Sequence, residues 1–145
     1  MTIVYLTKYT NLQHAKERIL LAYSQVKGET FSIVYLPTGE PQLFSNSLQN
    51  GYVSISHTDG ALAMAFSDSK VGVDIERADR VVSSKVCESI EKWTRIEAYA
   101  KWKGMGLSRD ILLEKLPDDA IVTKRYLQYV ISVCGDAKDF DIVAF

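Results

Sequence analysis

The sequence has few cysteines, little net charge and no long apolar run, and each shortage excludes a class of protein. Cys87 and Cys134 are the only cysteines among 145 residues. Two are too few for a disulfide framework or a cysteine-based zinc site. We therefore expect two buried thiols in a reducing compartment, the cytoplasm.

Charge and hydropathy exclude two further classes of protein, general nucleic-acid-binding proteins and membrane-spanning proteins. Seventeen basic and eighteen acidic residues give a formal net charge of −1, whereas general nucleic-acid-binding proteins are usually basic. No apolar run approaches the ~20 residues of a membrane-spanning helix, and the first ten residues lack the pattern of a secretion signal. We expect one globular domain, 1–145, that binds neither nucleic acid nor membrane.

The order of predicted helices and strands indicates an α+β domain with much antiparallel pairing. Apolar spacing predicts long helices over 10–28 and 83–104 and a short helix over 108–116. Alternating and β-branched runs predict strands at 2–6, 30–36, 52–57, 61–67, 70–76 and 140–145, and two strands or one bent strand over 120–134.

Local signals set the predicted helix ends. Thr10 has capping-box spacing at the start of the first helix, and Gly28 is a plausible stop. Ser83 or Ser84 would begin the second long helix and Gly104 would end it. The predicted core stripe of the first helix is Leu12, Ala15, Ile19, Ala22 and Val26.

Residues 70–76, KVGVDIE, form a strand pattern that carries two carboxylates. Side chains two positions apart leave the same face of a strand, so Asp74 and Glu76 share one side while Val73 and Ile75 share the other. The carboxylates lie roughly 6.6 Å apart along the strand. At an effective dielectric of about 20 they repel by roughly 2.5 kcal/mol. The pattern predicts either a strand edge open to solvent or a bound cation.

A third carboxylate falls on the apolar stripe of the second long helix. Glu97 follows Ile90 by seven residues and Trp93 by four, which places it on the core-facing side. An unpaired buried charge is expensive, so Glu97 needs a partner. Three carboxylates without histidine or cysteine suit a hard cation, for which we expect Mg²⁺, with Mn²⁺ as the alternative.

Four motifs in series resemble the 4′-phosphopantetheinyl transferases of the larger, two-half type that activate surfactin synthetase and related assembly lines. That family has a Gly-Lys-Pro turn, a strand ending in Ser-His, a Gly-x-Asp-x-Glu strand, and a helix with Trp, a Lys-Glu pair, a later Lys and Gly-x-Gly-Leu. These places correspond here to residues 39–41, 54–58, 71–76 and 93–107. The resemblance runs from about residue 15 to the C-terminus and is that of a compact, divergent member.

The resemblance implies two pseudo-symmetric halves, about 1–67 and 68–145, each a long helix packed on a small, mainly antiparallel sheet, with the first half shortened. It implies Mg²⁺-dependent transfer of the phosphopantetheine arm of coenzyme A to a serine of an apo acyl- or peptidyl-carrier protein. The second product is adenosine 3′,5′-bisphosphate. Such enzymes serve fatty acid, polyketide or nonribosomal peptide biosynthesis. Both a monomer and a dimer are compatible with this sequence.

The resemblance also assigns candidate site residues. A metal clamp and basic side chains can activate a hydroxyl and neutralise a leaving phosphate without a protein nucleophile. The implied residues are Asp74, Glu76 and Glu97 for the metal; Glu97, Lys101 and Asp74 for catalysis; and Ser56, His57, Lys101 and Arg18 for coenzyme A.

The chain departs from the family at two cationic positions. Glu40 replaces the lysine of the Gly-Lys-Pro turn, and Ile96 replaces the lysine of the Lys-Glu pair. The segment between the acid pair and Glu97 is also shorter than in the family. The missing stretch usually contains a further acidic residue, for which Glu88 or Glu91 would have to substitute. Each lost charge-assisted contact would weaken coenzyme A binding by ~1.5–3 kcal/mol.

Two functions therefore remain open from the sequence. The retained acids favour a working transferase. The two lost lysines favour a transferase-like protein that binds coenzyme A or a carrier domain without efficient transfer.

Overall fold

The computed structural model of the chain describes residues 1–83, 87–105 and 109–145. Within these residues the chain forms ten strands and three α-helices, which confirms the α+β class. The strands are β1 Thr2–Lys8, β2 Ser32–Tyr35, β3 Pro41–Ser45, β4 Leu48–Gln49, β5 Tyr52–Thr58, β6 Ala61–Ser67, β7 Val71–Arg77, β8 Ile121–Tyr126, β9 Tyr129–Gly135 and β10 Asp141–Ala144; the helices are α1 Leu12–Lys27, α2 Ile90–Trp102 and α3 Arg109–Leu113.

The strands form three sheets. The first sheet has the order β10-β1-β6-β5, the second sheet has the order β7-β9-β8, and a small sheet has the order β2-β3-β4. Every pairing is antiparallel except that of β1 with β10, which is parallel. The strand β10 thus carries the end of the chain back to the first sheet.

The two larger sheets repeat one connectivity. In each, a strand is followed by a long helix and then by a β-hairpin, and the second hairpin strand lies between the other two. The repeat consists of β1-α1-β5-β6 in the first sheet and β7-α2-β8-β9 in the second. A helix-on-sheet half is therefore present twice, with the small sheet inserted in the first copy.

The two sheets bury their inner faces against each other. Val4, Leu6 and Ala63 from the first sheet join Val73 and Ile75 from β7 in one buried cluster, here called the shared core. The outer face of the first sheet packs on α1, and the outer face of the second packs on α2. The layers are therefore helix, sheet, sheet, helix, and Val73 and Ile75 lie in the core as predicted.

Helix α1 begins one residue later than expected. The side chain of Asn11, not Thr10, accepts the hydrogen bond from the backbone N–H of His14, at 3.0 Å. Gly28 ends the helix with φ 72°, as predicted. Val26 is 72% exposed rather than part of the core stripe.

Helix α2 is shorter than the predicted span of 83–104. Ser89 caps it through a hydrogen bond from the backbone N–H of Lys92 to its hydroxyl oxygen. Ser83 lies outside the helix, and residue 84, the other proposed cap, lies outside the described residues. Gly104 follows the helix with φ 72°, in agreement with its predicted role as a terminator.

A glycine sets the distance between β7 and α2. A Cβ atom on Gly72 would lie 2.2 Å from the carbonyl oxygen of Ala98 and 2.5 Å from the backbone nitrogen of Trp102. Only glycine allows so close an approach of strand and helix backbones. Asp74 and Glu76 leave the same face of β7 as Gly72, so they face this tightly packed helix. None of the helices in the described residues is long and apolar enough to cross a membrane.

Candidate metal centre

Strand β7 and helix α2 bring three carboxylates together. Asp74 and Glu76 come from the helix-facing side of β7, and Glu97 comes from the third turn of α2. One oxygen of each lies within 4.8 Å of the other two. Both acids of β7 are buried, and Glu97 is half-buried. The predicted set of three acids therefore converges on one point, here called the acid cluster.

Asp74 is the most deeply buried of the three. Its residue is only 2% exposed, and its Oδ1 accepts a hydrogen bond of 3.0 Å from the hydroxyl of Ser56. Its Oδ2 is also buried and accepts no hydrogen bond from any described residue. A buried carboxylate oxygen without a donor is costly, so this atom calls for a cation or a proton.

Serines of β5 orient the strand that carries Asp74. The backbone N–H groups of Val73 and Ile75 lie at the edge of the second sheet and donate to the hydroxyls of Ser54 and Ser56, at 3.0 and 3.2 Å. The Ser56 hydroxyl thus accepts from the β7 backbone and donates to the Asp74 carboxylate. Ser56 is buried and positions Asp74. Its contact with coenzyme A stays a prediction.

Lys101 reaches the acid cluster from the last turn of α2. Its Nζ donates to the carbonyl oxygen of Ile55 at 2.9 Å and lies 3.8 Å from Oδ1 of Asp74. It lies one helical turn after Glu97, as predicted from the sequence. The ammonium group therefore joins α2 to β5 and compensates part of the negative charge.

Arg80 is a second cation at the cluster, and the sequence analysis did not identify it. Its guanidinium NH1 donates to Oε1 of Glu76 at 2.6 Å. The same guanidinium lies over the ring of Trp93, 5.9 Å from the ring centroid. Arg80 follows the acid pair by four residues, but it stands in a connection after β7, for which no periodicity predicts the direction of a side chain.

The pKa values of the cluster reflect burial and like charge. Burial raises the pKa of Asp74 well above its ordinary value; Lys101 opposes this rise, and Glu97 and Glu76 add to it. Burial also raises the pKa of Glu97, again against the effect of Lys101. Burial lowers the pKa of Lys101, although all three acids act to raise it. The cluster thus holds more negative charge than its surroundings accommodate.

The other predicted coenzyme A contacts lie apart from the acid cluster. His57 follows Ser56 on the opposite face of β5, where its Nδ1 and the hydroxyl of Tyr9 are 3.2 Å apart. Arg18 is exposed on α1 and lines a cleft of about 740 Å³ together with Lys8 and His14. None of the three acids of the cluster, Asp74, Glu76 and Glu97, lines that cleft.

The two positions that lack the family lysine differ in their surroundings. Ile96 is buried in the core between α2 and the second sheet, where it packs with Ile111 and Ile121. Glu40 lines a pocket of about 260 Å³ that also includes Lys101 and Ser54. Among the described residues that line this pocket, an anion would meet one cation, Lys101, and one carboxylate, Glu40.

The acids considered as substitutes are occupied elsewhere. Glu88 forms an ion pair with Lys92, and Glu91 forms one with Arg125. The first pair lies at the start of α2 and the second joins α2 to β8, and neither acid belongs to the cluster. Neither therefore supplies a fourth carboxylate to the site.

The donor set fits a hard divalent cation. Three carboxylates offer oxygen ligands only, which Mg²⁺ and Mn²⁺ prefer. The buried Oδ2 of Asp74 accepts no hydrogen bond from the described residues, so it is available as a ligand atom. Two ligands come from a strand and one from a helix, so their spacing is fixed by packed backbone and not by a loop.

Comparison with known proteins gives no family for this chain. No model of a known protein family matches it, and no curated protein is significantly similar to it in sequence.

Proposed function

We propose that the protein transfers the 4′-phosphopantetheine arm of coenzyme A to a serine of an apo acyl- or peptidyl-carrier protein, with Mg²⁺ at Asp74, Glu76 and Glu97. The observation that carries this proposal is the unpartnered, buried Oδ2 of Asp74 inside a cluster of three carboxylates. The order of the four sequence motifs supplies the reaction class. The repeated connectivity of the two halves is compatible with the fold that the motifs imply.

The reaction forms a phosphoester bond to the carrier serine and breaks the phosphoanhydride bond within the diphosphate of coenzyme A. The serine oxygen of the carrier forms a bond to the phosphorus that bears pantetheine, and the bond from that phosphorus to adenosine 3′,5′-bisphosphate breaks. The hydroxyl proton must leave as the new bond forms. Glu97 is the most exposed of the three acids, so its carboxylate is the one that can accept this proton.

Other residues of the site would hold and orient the reacting groups. When bound, the divalent ion would neutralise the diphosphate of coenzyme A. Lys101 would add a positive charge beside the leaving phosphate. Ser56 would hold Asp74 in place through its hydroxyl. The pocket next to Lys101 and Glu40 would receive part of the coenzyme.

Mass spectrometry of carrier proteins tests the proposal. The protein, coenzyme A and Mg²⁺ are mixed with a panel of apo acyl- and peptidyl-carrier domains, and each carrier is weighed. We expect at least one carrier to gain the mass of phosphopantetheine, and the gain to disappear in Asp74→Ala. The matched control is Asp68→Ala, since Asp68 is an exposed acid outside the cluster, and it should retain transfer.

A second function is favoured by the two missing lysines. Glu40 and Ile96 remove positive charge that the family uses on phosphate, so the site could bind coenzyme A or a carrier domain without efficient transfer. Calorimetric binding of coenzyme A, with no mass gain on any carrier, would support this binding role and exclude the transferase.

A further inference from the structure

Three carboxylates and two cations meet at the acid cluster, and the balance of charge depends on the metal. Fully ionised, the acids and the two cations Lys101 and Arg80 leave one net negative charge, which would repel a diphosphate. A divalent ion would change this to one net positive charge. The two cations are therefore as important for an anionic ligand as the three acids.

Lys101 has little capacity left for a further ligand. Its Nζ already donates to the carbonyl oxygen of Ile55 and lies against Asp74. The neighbouring Arg77 is also committed, because its guanidinium binds Asp79 through two hydrogen bonds and pairs with Asp59. Neither side chain presents a set of free donors to the cluster.

Arg80 differs from both in its free hydrogen-bond donors. Only its NH1 is engaged, by Glu76; within the described part of the chain its Nε and NH2 have no hydrogen-bond partner. The side chain is 48% exposed although its acceptor Glu76 is buried. One end of the guanidinium is thus fixed to a metal-ligand candidate while the other faces solvent.

The ring of Trp93 helps to fix the guanidinium. The 5.9 Å separation from the ring centroid is within the range of a cation–π contact. An arginine held on two sides loses less conformational freedom when it binds a third group. Its planar fork matches two oxygens of a phosphate group.

We propose that Arg80 binds the pantetheine-bearing phosphate of the coenzyme A diphosphate, bridging it to Glu76 and supplying positive charge that positions 40 and 96 do not provide. This inference rests on the proposed function, because it takes coenzyme A as the ligand. It assigns a substrate-binding role to a residue in the connection between β7 and α2, the segment that is short relative to the resembling family.

Calorimetry with two ligands tests the role of Arg80. Coenzyme A contains the pantetheine-bearing phosphate, whereas adenosine 3′,5′-bisphosphate lacks it and keeps only the other phosphate of the diphosphate. In the presence of Mg²⁺, Arg80→Gln should raise the Kd of coenzyme A about tenfold or more, the effect expected for a lost charge-assisted hydrogen bond. The Kd of the bisphosphate should change less than twofold.

Two controls show that the site itself is intact. Arg80→Gln should still bind Mn²⁺, followed by electron paramagnetic resonance, because its three carboxylates remain. Arg125→Gln is the matched variant, since Arg125 also pairs with an acid, Glu91 of α2, but outside the cluster. It should leave the Kd of both ligands unchanged.

The outcomes separate this inference from the proposed function. Tight coenzyme A binding that is equal in the wild type and Arg80→Gln would overturn the role of Arg80 alone. Equal weakening for coenzyme A and the bisphosphate would overturn its assignment to the pantetheine-bearing phosphate. No coenzyme A binding by the wild-type protein would overturn both the role of Arg80 and the proposed function.

Discussion

At the scale of single residues, Asp74 is the group on which the site depends. Its carboxylate is buried, accepts a hydrogen bond from one described residue, Ser56, and lies close to two further acids. Without a cation, ionised Asp74 suffers both desolvation and repulsion. The same features that destabilise the metal-free protein would favour a bound divalent ion. We therefore expect Asp74 to lower the stability of the metal-free protein and to raise its affinity for the ion.

Asp74→Asn should separate the two effects. The amide retains an acceptor for Ser56 and can donate to the neighbouring acids, so the metal-free variant should be more stable than the wild type by about 1–3 kcal/mol. Mg²⁺ should raise the melting temperature of the wild type but not that of the variant. Asp68→Asn, whose side chain is 82% exposed in the wild type, should keep the metal response. A full Mg²⁺ response in Asp74→Asn would contradict the assigned ligand.

The pH dependence of this stability difference follows from the raised pKa of Asp74, which burial causes. An acid whose pKa is higher in the folded state binds protons more tightly when folded. Its favourable contribution is therefore present at low pH and is lost as the pH rises through the folded-state pKa. In EDTA, the advantage of Asp74→Asn over the wild type should grow as the pH rises above the ordinary value of 3.8.

Urea unfolding of both proteins between pH 4 and pH 8 measures this change. Exposed ion pairs such as Asp79 with Arg77 are present in both proteins. Their titration therefore contributes equally to both unfolding free energies and cancels in the difference. A difference in unfolding free energy that stays constant across the range would mean that Asp74 titrates normally.

At the scale of elements, the contact between β5 and β7 organises the site. Both are edge strands of their sheets, and edge strands leave backbone N–H groups unpaired. Ser54 and Ser56 satisfy two of these groups on β7. The two sheets are thereby joined at the point where Asp74 lies.

Ser56→Ala and Ser54→Ala form a matched pair of variants. Each leaves one buried N–H group of β7 without an acceptor, so each should lower the unfolding free energy by about 1–3 kcal/mol. Only Ser56 also touches Asp74, so only Ser56→Ala should weaken Mn²⁺ binding, by about 10–100-fold, as for other residues that orient metal ligands. Equal metal affinity in the two variants would remove the positioning role of Ser56.

The sequence predicted the elements with strong periodicity and missed those without it. The strand 61–67 and both long helices are confirmed, although α2 begins at Ile90 and not near residue 83. The strand β3 was missed because it starts at Pro41, directly after a turn signal, and its single buried apolar residue, Leu43, gives no alternation. Strand β4 has only two residues, too few for a pattern.

The acids of the site could be predicted, but their partners could not. Alternation in β7 and helical spacing in α2 fix the directions of Asp74 and Glu97 from local geometry alone. The hydrogen bond from Ser56 depends on how two sheets meet, and the ion pair of Arg80 depends on a connection without regular structure. Such contacts are set by tertiary packing, and the periodicity of a single sequence does not predict them.

At the scale of the whole molecule, the two halves share a hydrophobic core. The shared core contains Val4 and Leu6 of β1 together with Val73 and Ile75 of β7. The strand β10 extends the first sheet by pairing with β1, although it comes from the end of the chain. Each half alone would expose one face of its sheet, which predicts that neither folds by itself and that 1–145 is one cooperative domain.

Fragment complementation tests this dependence of each half on the other. Fragments 1–69 and 70–145, cut in the connection between β6 and β7, should each lack a cooperative urea transition, because the shared core is incomplete in both. Mixed in equal amounts, they should regain β-sheet circular dichroism and one unfolding transition. Val73→Asp in the second fragment should abolish reassembly, since Val73 is fully buried between the sheets. The control is Val81→Asp in the same fragment, which should still reassemble because Val81 is exposed. A cooperative transition in fragment 1–69 alone would show that the first half is an independent domain, and the acid cluster would then belong to the second half with Ser56 as an added contact.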